Sequence, residues 1–277
     1  MMNITAADVN KLRQQTGAGL MDCKKALVES KGNFEEAIIF LRKKGQKLSD
    51  LRSDREAREG VVIAKSSDDN KVGIAITLNC ETDFVAKNQD FIAFAERLCD
   101  FALGSNVSSL DDLMSRQLDG VSVKDKVAEQ IVKIGEKLEI SKFERIEGEM
   151  VVPYIHAGYR LGVLVGLNKT GNHGLSDAAR NIAMQIAAMN PIAIDKEDVP
   201  PEIVEREMEI GKEQARNEGK PDHMLDQIAK GKVQKFFKEH TLINQTFVKD
   251  SSKTVGQMLS EVDKEAKVQD FRRVSLS

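Results

Sequence analysis

The four histidines, His156, His173, His223 and His240, are the first residues to weigh for chemistry. Imidazole both ligates metals and moves protons near neutral pH. None of the four has the H-E-x-x-H type of spacing that puts two ligands on one helix face. The cysteines, Cys23, Cys80 and Cys99, are odd in number, far apart and without a C-x-x-C pair. That pattern reads as reduced thiols rather than a disulfide framework or a zinc site. There is no G-x-x-x-x-G-K-[ST] phosphate loop, no G-x-G-x-x-G fingerprint and no G-x-S-x-G nucleophile elbow. Gly17-Ala18-Gly19 falls between two helical patterns with no strand before it, and Gly171-Asn172-His173-Gly174 reads as a plain loop. Carboxylates are plentiful but sit mostly on charged, solvated helix faces. The sequence therefore predicts no metal, no cofactor and no covalent chemistry. An enzyme assembled from residues that meet only in space stays open as an alternative.

One local feature stands out. A buried-strand pattern ending at Cys80 runs straight into Glu81-Thr82-Asp83-Phe84-Val85-Ala86-Lys87-Asn88. Thr82 or Asp83 suits an N-cap, because either side chain accepts from the orphan N–H groups that open a helix. Phe84 and Val85 then fall at the tip of a strand-to-helix corner. Two readings of Phe84 follow. It tucks under the corner into the core, or it points outward beside a carboxylate as an anchor for a partner's pocket.

The 277 residues are 41 % hydrophobic, enough for one large or two to three modest cores. Charged residues make up 31 % yet nearly cancel, to a net charge of −3. A chain that binds nucleic acid by neutralising phosphates carries a basic excess, so direct nucleic-acid binding is not expected. Trp is absent and aromatics total 5 %, which leaves few stacking platforms for single strands. No apolar run is long enough to span a bilayer, and MMNITAADVN has neither a basic n-region nor an apolar h-region. A cytoplasmic protein without membrane contact is expected.

The elements that would position the corner can be read from periodicity. Thr5 and Asp8 form a capping box ahead of a first helix. A second helix runs from about Leu20 to Ser30. Asn33 and Glu36 open a third, whose Phe34, Ala37, Ile38 and Leu41 share a face and whose end is assigned to Gly45. This unit is expected to stand as a compact module. SDLRSDREAREG, residues 49–60, has almost no apolar content and reads as an exposed connector, flexible or helical. Strands follow at Val61–Lys65 and Lys71–Cys80, the second with one buried face. A helix at Asn88–Leu103 comes next, then a helix at Val123–Lys137. Strands at Leu138–Glu147, Met150–His156 and Leu161–Asn168 and a helix at Ser176–Met189 repeat the order. Two related α+β subdomains are therefore predicted. Pro201–Asn217 and Asp222–His240, flanking Glu218-Gly219-Lys220-Pro221, form a helical hairpin, either projecting or folded on its own core. A short helix near Thr254–Val262 lies in the tail.

TLNCETDFVAKN, residues 77–88, and LRQQTGAGLMDCKKAL, residues 12–27, closely resemble the two motifs of the elongation factor Ts family. YIHAGYRLGVLV, residues 154–165, and KTVGQML, residues 253–259, resemble two further segments, so the similarity spans nearly the whole chain. The resemblance implies an α+β fold with a ubiquitin-associated-like three-helix domain (1–48) and a linker (49–60). Two core subdomains (61–137 and 138–195), a helical hairpin insert (196–243) used for homodimer contacts, and the end of the core with a shortened C-terminal module (244–277) follow. It implies guanine-nucleotide exchange on elongation factor Tu. Thr82, Asp83, Phe84 and Val85 would enter near the partner's magnesium site. Leu12, Leu20 and Met21 would dock on its nucleotide-binding domain, and Ile134, Gly135, His156, Val248 and Lys249 would add contacts. From pattern alone Leu12 suits core packing equally well, and His156 suits an ordinary hydrogen-bonded role. Thr77 departs from the family's usual Glu. Some members continue past the position of Ser277 into another helix, so that contact is expected to be missing or replaced here. A scaffold that holds partners without exchange activity is the competing class.

Overall fold

The structure is a computed structural model that describes residues 4–171 and 173–276. Asn172, read above as part of a loop, lies outside the described residues. Three helices open the chain: α1 (Ala6–Thr16), α2 (Leu20–Glu29) and α3 (Phe34–Leu51). The expected Thr5–Asp8 capping box is formed, and Asn33 accepts from the amides of Glu35 and Glu36. Val9, Leu12, Cys23, Ala26, Leu27, Ala37 and Leu41 make their core.

Gly45 does not end α3. The helix runs on to Leu51, and Gly45 lies inside it against α7 (Val123–Ile134). A Cβ there would sit 2.4 Å from the Ala128 carbonyl oxygen. The glycine permits close helix approach rather than a stop, which letter patterns cannot distinguish. Arg42–Glu129 at 2.6 Å and Gln46–Asp125 at 2.6 Å extend the same contact, so the three-helix unit leans on the rest of the chain. The connector is likewise anchored. Lys137 Nζ donates to the carbonyls of Ser53 (2.8 Å) and Arg55 (3.0 Å).

The core is a stack of helices, sheet, sheet and helices. The first sheet has the order β1 (Glu59–Ser66), β2 (Val72–Cys80), β5 (Glu139–Glu147), all antiparallel. The second has the order β10 (Val268–Ser275), β7 (Leu161–Leu167), β6 (Met150–Ile155). Outward residues of the first sheet, Val61, Ile63, Ile74, Ile76 and Leu78, pack under α5 (Gln89–Gly104) and α7. Val163, Val165 and Leu167 of the second pack under α8 (His173–Met189) and α11 (Val255–Val262). Between the sheets lie Val62, Ala64, Ala75, Ile146, Val151, Leu164 and Val274. β2 is thus buried on both faces, not one. Its second face reads as polar or small because Gly73, Ala75 and Thr77 must fit a tight sheet-to-sheet gap. A Cβ on Gly73 would be 2.5 Å from Val151 Cγ1. Thr77 is fully buried there, and its hydroxyl has no hydrogen-bond partner among the described residues.

Two further differences concern topology. The strand at Leu138–Glu147, grouped above with the second subdomain, pairs with β2 of the first. The tail after Val262 forms β10 on the edge of the second sheet, with Val274 only 2 % exposed. The adjacent Arg272 and Arg273 obscured its alternation. Between α5 and α7, α6 (Leu110–Ser115) and the small pair β3 (Gln117–Leu118) and β4 (Val121–Ser122) went unread. So did a short pair, β8 (Thr246–Phe247) and β9 (Asp250–Thr254). The hairpin helices α9 (Pro201–Asn217) and α10 (Asp222–His240) match the predicted spans, and Gly211, Ala215, Leu225, Ala229 and Val233 are buried in them. Among the described residues no helix is long and apolar enough to cross a membrane.

The two helical glycines Gly45 and Gly231 should respond oppositely to substitution. Gly45→Val forces a branched side chain onto backbone and should lower urea-unfolding stability by about 2–3 kcal/mol. Gly231→Ala, where a Cβ meets open space, should raise it by about 0.5–1 kcal/mol.

Candidate functional site

β2 ends at Cys80, and four residues later the chain is in a one-turn helix, α4 (Asp83–Ala86). Thr82 is the N-cap, its hydroxyl accepting from the Val85 amide at 3.4 Å. Of the two candidates named from the sequence, Thr82 therefore caps. Phe84 is 84 % exposed and points away from the core. Ala86 and the partly buried Val85 face inward, so the turn is held by one side and offers the other.

The corner is clamped from a distant segment. Gly135 ends α7 in the left-handed region at φ 84°, which a side-chain-bearing residue rarely adopts, and turns the chain back toward the corner. The next residue, Glu136, accepts from the amides of Glu81 and Thr82, both at 3.0 Å, and from the Thr82 hydroxyl at 2.6 Å. Glu81 answers in the other direction. Its carboxylate accepts from the Lys137 amide at 2.6 Å, from Arg52 at 3.1 Å and from Arg55 at 2.9 Å. Burial pushes the Glu81 carboxyl up, but the Lys137 amide and the guanidinium groups of Arg55 and Arg52 outweigh it and hold the group below its ordinary value. Asp83 is held down by its bond to Lys87 Nζ at 2.6 Å, an exposed pair one helical turn apart. Burial, with the nearby Glu136 carboxylate, pushes the Cys80 thiol up to about 12. It stays protonated and donates to the Thr82 carbonyl at 3.1 Å.

Other residues singled out from the sequence gather at this end of the molecule. Ile134 and Val85 line one cavity of about 220 Å³ with Asn88, Asp90, Phe91, Gln130 and Lys133. Lys133 bonds Asp90 at 3.1 Å and packs its stem where a Cβ on Gly17 would fall, 3.1 Å away. That brings the glycine corner of the three-helix unit beside the end of α7. Leu20 and Met21, just past that corner, are 49 % and 71 % exposed. Leu12 is different. It is fully buried in the three-helix core, because the apolar face it shares with Val9 turns toward α2 and α3, so it supports the contact surface and is not part of it. His156 is exposed at the tip of the β6–β7 hairpin, its Nδ1 3.0 Å from the Tyr154 hydroxyl. That tip reaches β1 through the Arg160–Glu59 ion pair and the Val62 amide donating to the Tyr159 carbonyl at 2.6 Å. Since Glu59 pairs with Cys80, the tip lies at the corner's end of the sheet. Val248 and Lys249 belong elsewhere. They turn between β8 and β9 on α8, through Gln185 (2.9 Å) and Asn181 (2.7 Å).

Glu81, Glu136, Arg52 and Arg55 were not singled out from the sequence. Bonds across 55 residues leave no local spacing to find. Among the described residues no group of His, Cys, Asp and Glu could hold a metal ion.

The sequence that builds this corner matches a known family. The Elongation factor TS family model matches residues 81–277. Three relatives named Elongation factor Ts align along this chain and their own whole lengths. They come from Christiangramia forsetii (50 % identical), Flavobacterium psychrophilum (49 %) and Cytophaga hutchinsonii (51 %), each covering 100 % of both chains. The chain belongs to the elongation factor Ts family. The family name sets it among the translation elongation factors of protein biosynthesis. In this elongation factor Ts relative, the family match begins at Glu81, the first residue of the clamped corner.

The Glu81 ion pairs tie corner stability to pH. Because the folded-state pKa lies below the ordinary 4.5, the stabilisation is complete above that value and is lost as pH falls through the lower folded one. Thermal unfolding followed across this range should show a steeper acid limb in wild type than in Glu81→Gln.

Proposed function

We propose that the chain is a guanine-nucleotide exchange factor that binds GDP-bound elongation factor Tu and promotes GDP release during translation elongation. The observation that carries this reading is Phe84, an aromatic ring 84 % exposed on a clamped corner. A solvent-facing ring costs hydration free energy in the free protein and regains it only when a partner covers it.

The action is differential binding. A factor ejects a ligand only if it binds the empty partner more tightly than the loaded one. Weakening nucleotide affinity by three to five decades takes about 4–7 kcal/mol of coupling. Burying Phe84 in the partner supplies roughly 1.5–3 kcal/mol. Wedged between partner helices, Phe84 brings Asp83 close to the groups that hold the partner's magnesium, and a weakened hold on that charge removes much of the phosphate affinity. No bond is made or broken, so no catalytic residue is required. Thr82 caps the wedge and Val85 seats it. Leu20 and Met21 dock on the nucleotide-binding domain, with Ile134, Gly135 and His156 contacting beside the corner and Val248 and Lys249 contacting further away. The hairpin's exposed Ile210 and Met224 are what a second copy would cover in a homodimer.

The experiment is release of labelled GDP from elongation factor Tu with catalytic amounts of this chain. Wild type should accelerate release. Phe84→Ala should lose about 10- to 100-fold of that acceleration. Its unfolding midpoint should stay that of wild type, since the ring adds nothing to the core. No acceleration by wild type would leave a nucleotide-insensitive scaffold as the better description.

A further inference from the structure

Phe84 is too exposed for its own packing to hold it, and α4 is a single turn of four residues. One turn is not stable by itself, because fixing its dihedrals costs more than its first hydrogen bonds return. The direction in which Phe84 leaves the sheet must be imposed from outside. The donors that need satisfying there are the amides of Glu81 and Thr82, which follow the last ladder residue of β2, Cys80. Glu136 takes both, and the Thr82 hydroxyl as well, with its two carboxylate oxygens. Glu81 in turn takes the Lys137 amide. Two neighbouring pairs of residues thus bind each other reciprocally across the gap between β2 and α7.

We propose that Glu136 is a positioning residue for nucleotide exchange: through this reciprocal clasp it sets the angle of the Thr82–Val85 turn and so aims Phe84. The inference rests on the exchange reading above and deepens it. Glu136 touches no partner in this role. Its oxygens are committed to the corner, and the residue is half-buried. The same clasp carries the Arg52 and Arg55 ion pairs of Glu81, so the exit of α3 from the three-helix unit is fastened to the wedge. Docking by Leu20 and Met21 and insertion by Phe84 are thereby held at a set separation.

The test measures release of labelled GDP from elongation factor Tu over a range of factor concentrations for wild type, E136A, E136Q, F84A and the double variant F84A/E136A. Amide hydrogen exchange of each free protein is followed alongside. E136A should lower the maximal release rate about tenfold while shifting the half-saturating concentration by no more than about threefold, one decade being the worth of one charge-assisted bond. E136Q keeps a carbonyl oxygen for the two amides and should stay within about threefold of wild type. F84A/E136A should be no slower than F84A, because residues acting through one element are not additive. In E136A, exchange should rise at Glu81, Thr82 and Val85 and stay unchanged in the middle of β2. If E136A proves unfolded by circular dichroism, E136D, which keeps the charge but shortens the reach, takes its place with the same expectations. Wild-type release rates in E136A, unchanged protection at the corner, or effects of E136A and F84A that multiply would each overturn the positioning role while exchange itself stood. An inactive wild type would instead bring down the exchange reading and this role with it.

Discussion

A strand that ends in the open and a helix too short to support itself leave backbone donors that something must accept. At residues 81–85 that acceptor is a carboxylate from the segment just past the C-terminal end of α7. Nearly everything at this end of the molecule follows from that constraint. Glu136 can reach the corner only because Gly135 turns the chain out of α7 in a left-handed conformation. The Glu81 carboxylate, separate from its amide, binds the connector. Its bonds to Arg52 and Arg55 remove what would otherwise be a loose tether between the three-helix unit and the core. Hydrogen bonds to charged groups are among the stronger ones a protein makes, and a carboxylate with three donors is costly to disturb. The corner is therefore rigid while its most apolar side chain stays in water.

The layered core explains how residues from both halves of the chain meet around that corner. Two three-stranded sheets face each other across a thin seam of Val62, Ala64, Ala75, Ile146, Val151, Leu164 and Val274. Small residues keep the seam close, and the tip of the β6–β7 hairpin comes to rest on the start of β1. His156 thus reaches the same end as Phe84, although the two are 72 positions apart in the sequence. The helices lie on the outer faces, where α7 serves three purposes. It covers the first sheet, receives α3 along its length through Ala128 and Glu129, and ends in the segment that holds the corner. A helix used in this way leaves little freedom for substitution at Val127, Ala128 and Ile131.

Much of this was legible beforehand. The capping residues Thr5 and Asn33, the hairpin arms 201–217 and 222–240, and the run from Cys80 into Thr82-Asp83-Phe84-Val85 carry local signals that survive in any context. Gly45, β2 and β10 show the limits. A glycine that ends a helix and one that lets two helices touch look alike in sequence. A strand face of Gly73, Ala75 and Thr77 reads as exposed until a second sheet covers it. Two arginines in β10 hide an edge strand whose alternate positions are buried.

By itself, the sequence determined where most of the longer helices and core strands lie, that no metal or nucleophile motif is present, and that an acidic-aromatic turn follows a buried strand. Those properties depend on side-chain types at spacings of a few residues, set by helix and strand periodicity. Only the tertiary structure decided that Phe84 faces water, that Leu12 does not, that β5 joins β2, and that Glu136 holds Thr82. Each of these is a matter of what lies across a gap from residues distant in the chain, and local propensity carries no term for it.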